Sequence, residues 1–250
     1  MKLIVNADDF GYSDGVNLGI IEAHRSGIVT STSAMVTMPS IDHAVGIARF
    51  HPRLAIGLHL NITCGKPLAS VPSLTKKGGL FYKPKDKPDE SLFKKEEIKQ
   101  EFQAQYNEFI RKFGKPPSHL DTHLYAHQVY RTVGEAIREF ALEKKLPVRG
   151  MIIDGFPPIP FLPWFKVGKF ETKEALFRRF EARIRDLAAL EYAEMMVHPA
   201  FLDAFLMKNS SYNRERLIEL KVLTSARIKN LLAIHRIELT NYTEARYVED

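Results

Sequence analysis

The chain has 250 residues, 45% apolar and 26% charged, which is the balance of a globular protein long enough to bury a sizeable core. Its formal charge of +6 is spread over residues 94–112, 178–185 and 214–229 with acids interleaved. That is the pattern of solvated helix faces rather than a nucleic-acid block, and no apolar run approaches the roughly 18 residues of a membrane span.

The opening Met1-Lys2-Leu3-Ile4-Val5-Asn6-Ala7-Asp8-Asp9 reads as a folded strand over 3–7, not a targeting segment. With a single cysteine, Cys64, no internal disulfide or thiolate metal cage is available, and a cytoplasmic setting is expected. A helix over 15–25 follows, then a strand over 33–38. Ser40 is placed to cap a helix over 40–50, and 55–60 is a third strand. Residues 63–91, broken by Gly78-Gly79, Pro84 and Pro88, form a long loop.

Ile98, Phe102, Tyr106, Phe109 and Phe113 recur at helical spacing across 94–113. Pro116-Pro117 ends that helix and 118–122 is a strand. A helix over 129–144, a strand over 148–153 and a proline-rich loop over 155–164 come next. They are followed by a helix over 173–190, a strand over 194–197, a helix over 214–228, and a last strand at 231–234 or 237–242. Strand and helix alternate without a change of composition, which predicts one α/β domain over 1–250 with about seven parallel strands.

Polar residues gather at the strand ends. Asp8-Asp9 close the first strand and His59 the third. His119, Asp121 and His123 lie on or just after the fourth, and His198 ends the sixth. Ligands also meet strand ends in an open doubly wound sheet, but convergence from four strands favours a barrel, whose strand ends share one mouth. Neighbouring carboxylates repel, and an extended backbone sends them to opposite faces. A bend could turn both towards one cation, one acid holding it and the other acting as general base. The alternative is that one of them caps the following helix.

His119, Asp121 and His123 alternate and so share a face of a strand. His127 continues the spacing, and a structural histidine is the alternative for His119 and His127. One acid with two histidines suits zinc, iron, manganese or cobalt; magnesium usually takes more oxygen ligands. His198 is placed either to protonate a leaving nitrogen or to be a structural histidine held by the adjoining Pro199.

Together these motifs resemble the YdjC/ChbG family of carbohydrate deacetylases. The matching stretches are Asn6-Ala7-Asp8-Asp9-Phe10-Gly11, the run from Gly57-Leu58-His59-Leu60-Asn61 to Pro67-Leu68, His119-Leu120-Asp121-Thr122-His123 and Val197-His198-Pro199. The resemblance implies a distorted barrel related to TIM barrels and polysaccharide deacetylases. It implies hydrolysis of the acetamide of N-acetylglucosamine units in small oligosaccharides, with a divalent metal, recorded as magnesium. It places that metal on Asp9, His59 and His123, with Asp8 as base and His198 as acid. Tyr125 stands where the family often has His, and Ala200 where it commonly has Gly.

Asn61, Tyr125, His127 and Arg149 are candidates for holding the substrate. Phe10, Tyr12, Phe81, Tyr82, Tyr125, Phe156 and Trp164 could stack on sugar rings or simply pack. The expected partner is a small N-acetylated sugar, with neither nucleic acid nor membrane; a homodimer stays open. Another metallohydrolase on the same scaffold and a non-catalytic sugar-binding protein are the alternative readings.

Overall fold

The computed structural model of the chain describes residues 1–86 and 88–245. Its frame is a parallel sheet curled into a half-barrel and covered by helices. In chain order the elements are β1 (Lys2–Phe10), α1 (Asp14–Arg25), β2 (Ser31–Ala34), α2 (Ile41–Ala48), β3 (Ala55–Leu60), a small hairpin of β4 (Thr75–Lys76) and β5 (Leu80–Phe81), and α3 (Lys95–Phe113). Then come β6 (Leu120–Thr122), α4 (Ala126–Val129), α5 (Arg131–Lys144), β7 (Phe161–Leu162), α6 (Lys173–Ile184), β8 (Tyr192–Val197), α7 (Ala204–Asn209), α8 (Arg214–Leu223), α9 (Ala226–Ile234) and β9 (Glu238–Thr240).

The sheet order is β6-β3-β2-β1-β8-β7, with β9 also paired to β1. All of these pairings are parallel. β1 is buried from Leu3 to Phe10, as expected for a central strand covered on both faces. Its amino half pairs with β9 through Lys2–Ile4, and its carboxyl half pairs with β2 from Asn6. One edge of β1 thus serves two short strands in succession.

Three expected elements change. The strand expected over 148–153 shrinks to a single bridge between Val148 and Leu120, because Gly150 turns the backbone at φ 64°. Its place beside β8 falls to β7, in the stretch expected to be a proline-rich loop. The helix expected over 214–228 is two helices, α8 and α9, because Ser225 starts the second one by accepting from the Ile228 N–H. Residues 231–234 are therefore helical, and β9 supplies the last strand.

No backbone pairing closes the barrel between β6 and β7 among the described residues. Side chains span the seam instead. Arg149, just past the Val148 bridge, donates from Nε to Glu194 Oε1 on β8 at 2.8 Å and lies over the Phe161 ring of β7 at 5.1 Å. Gly57 on β3 faces the interior, where an added Cβ would fall 2.3–2.5 Å from three ring atoms of His119. No described helix is long and apolar enough to cross a membrane.

Candidate active site

The strand ends open into a cavity of about 590 Å³. Asp8, Asp9, His59, His123 and His198 all line it, so five residues 190 positions apart along the chain do meet at one mouth. A larger cavity of about 1290 Å³ lies at the opposite ends of the strands. It is walled by residues such as Pro52, Pro116, Pro147 and Phe156, and holds none of the five.

The two aspartates are separated by a backbone irregularity. The β1–β2 register slips between Ala7 and Phe10, and Asp9 sits at φ 75°, a left-handed conformation that a non-glycine residue adopts at a cost of order 1–3 kcal/mol. Asp8 lies on the cavity wall and turns towards Arg149. Arg149 grips both of its oxygens, from Nη1 to Oδ2 at 2.7 Å and from Nη2 to Oδ1 at 2.6 Å, and Asn6 Nδ2 adds a bond at 2.9 Å. Asp9 turns the other way, where its Oδ2 accepts from Arg216 Nη2 at 2.6 Å.

Asp9 Oδ1 is buried and accepts no hydrogen bond. It faces His59 Nε2 at 3.4 Å and His123 Nε2 at 3.9 Å. The first of these separations matches, and the second exceeds, the roughly 3–3.5 Å between neighbouring ligands of an ion held at about 2.1 Å. The far nitrogens are already engaged: His59 Nδ1 lies 2.6 Å from Asp121 Oδ1, and His123 Nδ1 lies 2.6 Å from Thr63 Oγ1. Such outer contacts fix a ring so that its other nitrogen points at a metal. The donor set, one free carboxylate oxygen and two imidazoles, fits a divalent ion with open positions.

Among the described residues Asp8, His59 and Asp121 form the tighter group, a buried acid–histidine–acid cluster whose ligand atoms all lie within 4.8 Å of one another, which those of Asp9, His59 and His123 do not. The Arg149 guanidinium already stands against both carboxylates, at 2.6 Å from Asp8 and 2.9 Å from Asp121, so a second cation there would meet a fixed positive charge. Asp9 also carries a guanidinium, Arg216 at Oδ2, but its Oδ1 is left without a hydrogen-bond partner.

Burial alone would raise the Asp9 carboxyl, but Arg216, His59, His123 and His198 together hold it well below the usual carboxylate range. Burial pulls His59 down, yet Asp121, Asp9 and Asp8 outweigh it and lift the ring to about 10. Burial dominates at His123, which falls to about 4 despite Asp9. His198 falls to about 3 through burial and the Arg216 charge.

Several residues of the site lie outside the sequence motifs. Arg216 and Glu219 sit on the inward face of α8. Glu219 accepts from the His198 backbone N–H and from the Tyr212 hydroxyl, and burial raises it to about 7. From α3, Gln105 bonds the backbone of Asn61 at both N–H and C=O, and Glu101 accepts from Leu68 and Ala69. These bonds fix the loop that carries Thr63.

Of the four residues expected to hold substrate, only Tyr125 lines the cavity. Asn61 is buried and ties its amide to Thr37, Thr63 and Cys64. His127 is buried between Thr122 Oγ1 and the Arg149 carbonyl. Arg149 is buried against Asp8, Asp121 and Glu194. Each has its polar groups engaged within the protein, which corrects the expectation that they face a sugar. His119 is a core residue stacked on Tyr242 at 3.9 Å. Among the aromatics, Tyr12 joins Tyr125 on the cavity wall, whereas Phe10 and Phe81 are core.

Comparison with known proteins gives a consistent picture. The model of the family described as YdjC-like protein matches residues 2–233. Carbohydrate deacetylase 2 of Listeria innocua is 39% identical over 247 residues, covering 97% of this chain and 98% of the relative. Chitooligosaccharide deacetylase of Proteus mirabilis is 38% identical, with 97% and 98% covered. Among solved structures, a protein of Enterococcus faecalis V583 assigned to cellobiose-phosphate cleavage superposes with a TM-score of 0.88 at 33% identity, covering 98% of each chain. A family 4 carbohydrate esterase of Streptomyces lividans superposes at 0.54 with 10% identity, a likeness of fold alone.

Proposed function

Because the chain belongs to the YdjC-like protein family, we propose that it is a metal-dependent carbohydrate deacetylase. Its substrates would be N-acetylglucosamine-containing oligosaccharides, from which it releases acetate. The relatives named carbohydrate deacetylase and chitooligosaccharide deacetylase, matched over nearly their full lengths, support the activity. The observation that carries the chemistry is the unpaired Asp9 Oδ1 with two histidine Nε2 atoms aimed at it.

A divalent ion held by Asp9, His59 and His123 would polarise the acetyl carbonyl and acidify a water. Magnesium follows from the family resemblance, whereas two imidazoles favour zinc, iron, manganese or cobalt. Asp8 is the base in this reading. Its Oδ1 already accepts from Arg149, Asn6 and Ser33, so the water proton would go to Oδ2, where only Arg149 Nη1 donates and the fork fixes the group's direction. His198 enters neutral, since burial and Arg216 hold it near 3. To act as the acid it must first receive the proton that Asp8 takes from the water, and then hand it to the departing nitrogen. Tyr125, Tyr12 and Tyr212 wall the cavity and exclude water around the sugar.

The test is acetate release from chitobiose, chitotriose and phosphoester controls after metal stripping and add-back. Acetate from the sugars alone, lost on stripping and restored by one ion, is the expected result. Phosphate release without acetate would transfer the site to a different metallohydrolase, and sugar binding without turnover would make it a binding protein.

A further inference from the structure

Arg216 reaches the cavity with a donor to spare. Its side chain is 6% exposed, and two of its three nitrogens are engaged. Nε donates to the Tyr212 carbonyl at 2.8 Å, and Nη2 donates to Asp9 Oδ2 at 2.6 Å. Nη1 is buried and has no partner among the described residues. The guanidinium is held in place by these two bonds and by the Tyr212 ring, 5.7 Å away.

A guanidinium keeps its charge throughout the working pH range. Leaving one of its donors buried and unpaired costs a desolvation penalty that a neutral wall residue would avoid. The position of the spare donor shows what could use it. Nη1 shares its carbon with the nitrogen that touches Asp9, and the side chain lies on the wall of the cavity that Asp9, His59 and His123 also line. Small size and negative charge are the requirements.

Resting on the deacetylase reading, we propose that Arg216 is an oxyanion donor: Nη1 hydrogen-bonds the acetyl oxygen as it gains charge, and then the acetate product. In the hydrolysis, water oxygen forms the new C–O bond and the C–N bond breaks. Both water protons end on nitrogen, which leaves as the ammonium, and the negative charge stays on acetate beside Arg216. A fixed donor aimed at developing charge is worth roughly 10²–10³ in kcat.

The rival role is an anchor, in which Nη2 merely holds Asp9 in place for the ion. Arg216→Lys and Arg216→Gln separate the two when three quantities are read: ion affinity by calorimetry, kcat at saturating ion, and acetate affinity by calorimetry in ion-free and ion-loaded protein. The proposal expects ion affinity within about threefold of wild type, kcat down roughly 10²–10³, and acetate binding weakened in both forms. Recovery of kcat at high ion concentration, or acetate bound equally by wild type and variants, overturns it.

Should both variants unfold, wild-type protein decides by itself. Acetate must bind the ion-free protein more tightly than its neutral isostere acetamide, and equal binding overturns the assignment. If wild type releases no acetate from any N-acetylated sugar, the deacetylase reading fails, while these binding experiments still report on Arg216 as an anion site.

Discussion

His59 Nδ1 stands 2.6 Å from Asp121 Oδ1, deep in the barrel, while its Nε2 faces Asp9. That sandwich between acids raises the ring to about 10 against the pull of burial, so at pH 7 the metal-free protein carries a histidinium there. A metal needs the free Nε2 electron pair and must expel its proton. We expect about one proton released per ion bound at pH 7, and affinity rising about tenfold per pH unit below about 10. Calorimetry in two buffers of different ionisation heat measures this; no proton release would refute it. The sign for stability follows as well. In metal-free protein this raised value contributes stability that is full below the ordinary histidine range and is lost as pH climbs through about 10.

In the proposed reading the neighbours Asp8 and Asp9 have separate tasks. Asp8→Asn should retain the ion and lower acetate release by roughly 10²–10⁴. Asp9→Asn keeps a side chain tolerant of the left-handed backbone but should lose the ion. The reverse pattern, ion lost in the first and kept in the second, would exchange the roles.

Arg149 is the cation shared by Asp8, Asp121 and Glu194. Arg149→Met leaves buried carboxylates unpaired and should cost ~3–5 kcal/mol in denaturant unfolding. Arg149→Lys keeps a charge without the planar fork, and should recover stability better than it recovers kcat. A methionine variant as stable as wild type would contradict the packing described.

Two glycines make a paired test of the interior. Gly57→Ala drives a methyl into the His119 ring and should destabilise by ~1–3 kcal/mol. Gly46, on the exposed side of α2, has nothing within 4 Å of an added Cβ, and Gly46→Ala should stabilise by up to ~1 kcal/mol. Thermal unfolding of both variants gives the signs.

Lys83, Lys85 and Lys166 line the cavity beside the site. A sugar bearing a phosphate should therefore show a lower KM than its neutral counterpart, with an advantage that fades in high salt. Lys166→Glu should raise KM for the phosphorylated sugar and leave kcat within a few fold. Equal KM for both sugars would remove the lysines from recognition.

Much of the frame was legible in the sequence. Continuous apolar runs marked β1 and β3, the spacing of Ile98, Phe102 and Phe109 marked α3, and the polar residues at strand ends located the cavity. The strand over 148–153 was not, because Val-Arg-Gly-Met-Ile-Ile carries a strand-like composition that Gly150 overrides with its positive φ. β7 has two residues, too short for any periodicity to register. Arg216 and Glu219 were read as part of a solvated charged face, yet they point inward. The available clue is their three-residue spacing in line with Leu220 and Leu223, which places both charges on the buried stripe of α8. Arg149 carried no local sign of its role, since its three acid partners lie 28, 45 and 141 residues away in the chain.

The seam between the two sheet edges has a further implication. Because one guanidinium both ties Glu194 across the gap and aims Asp8, any strain that widens the shell is transmitted to Asp8, the base of the proposed reaction. In that reading robustness and turnover are mechanically linked, and substitutions at Phe161 or Tyr242, which pack against Arg149 and Glu194, would register in an assay as altered chemistry.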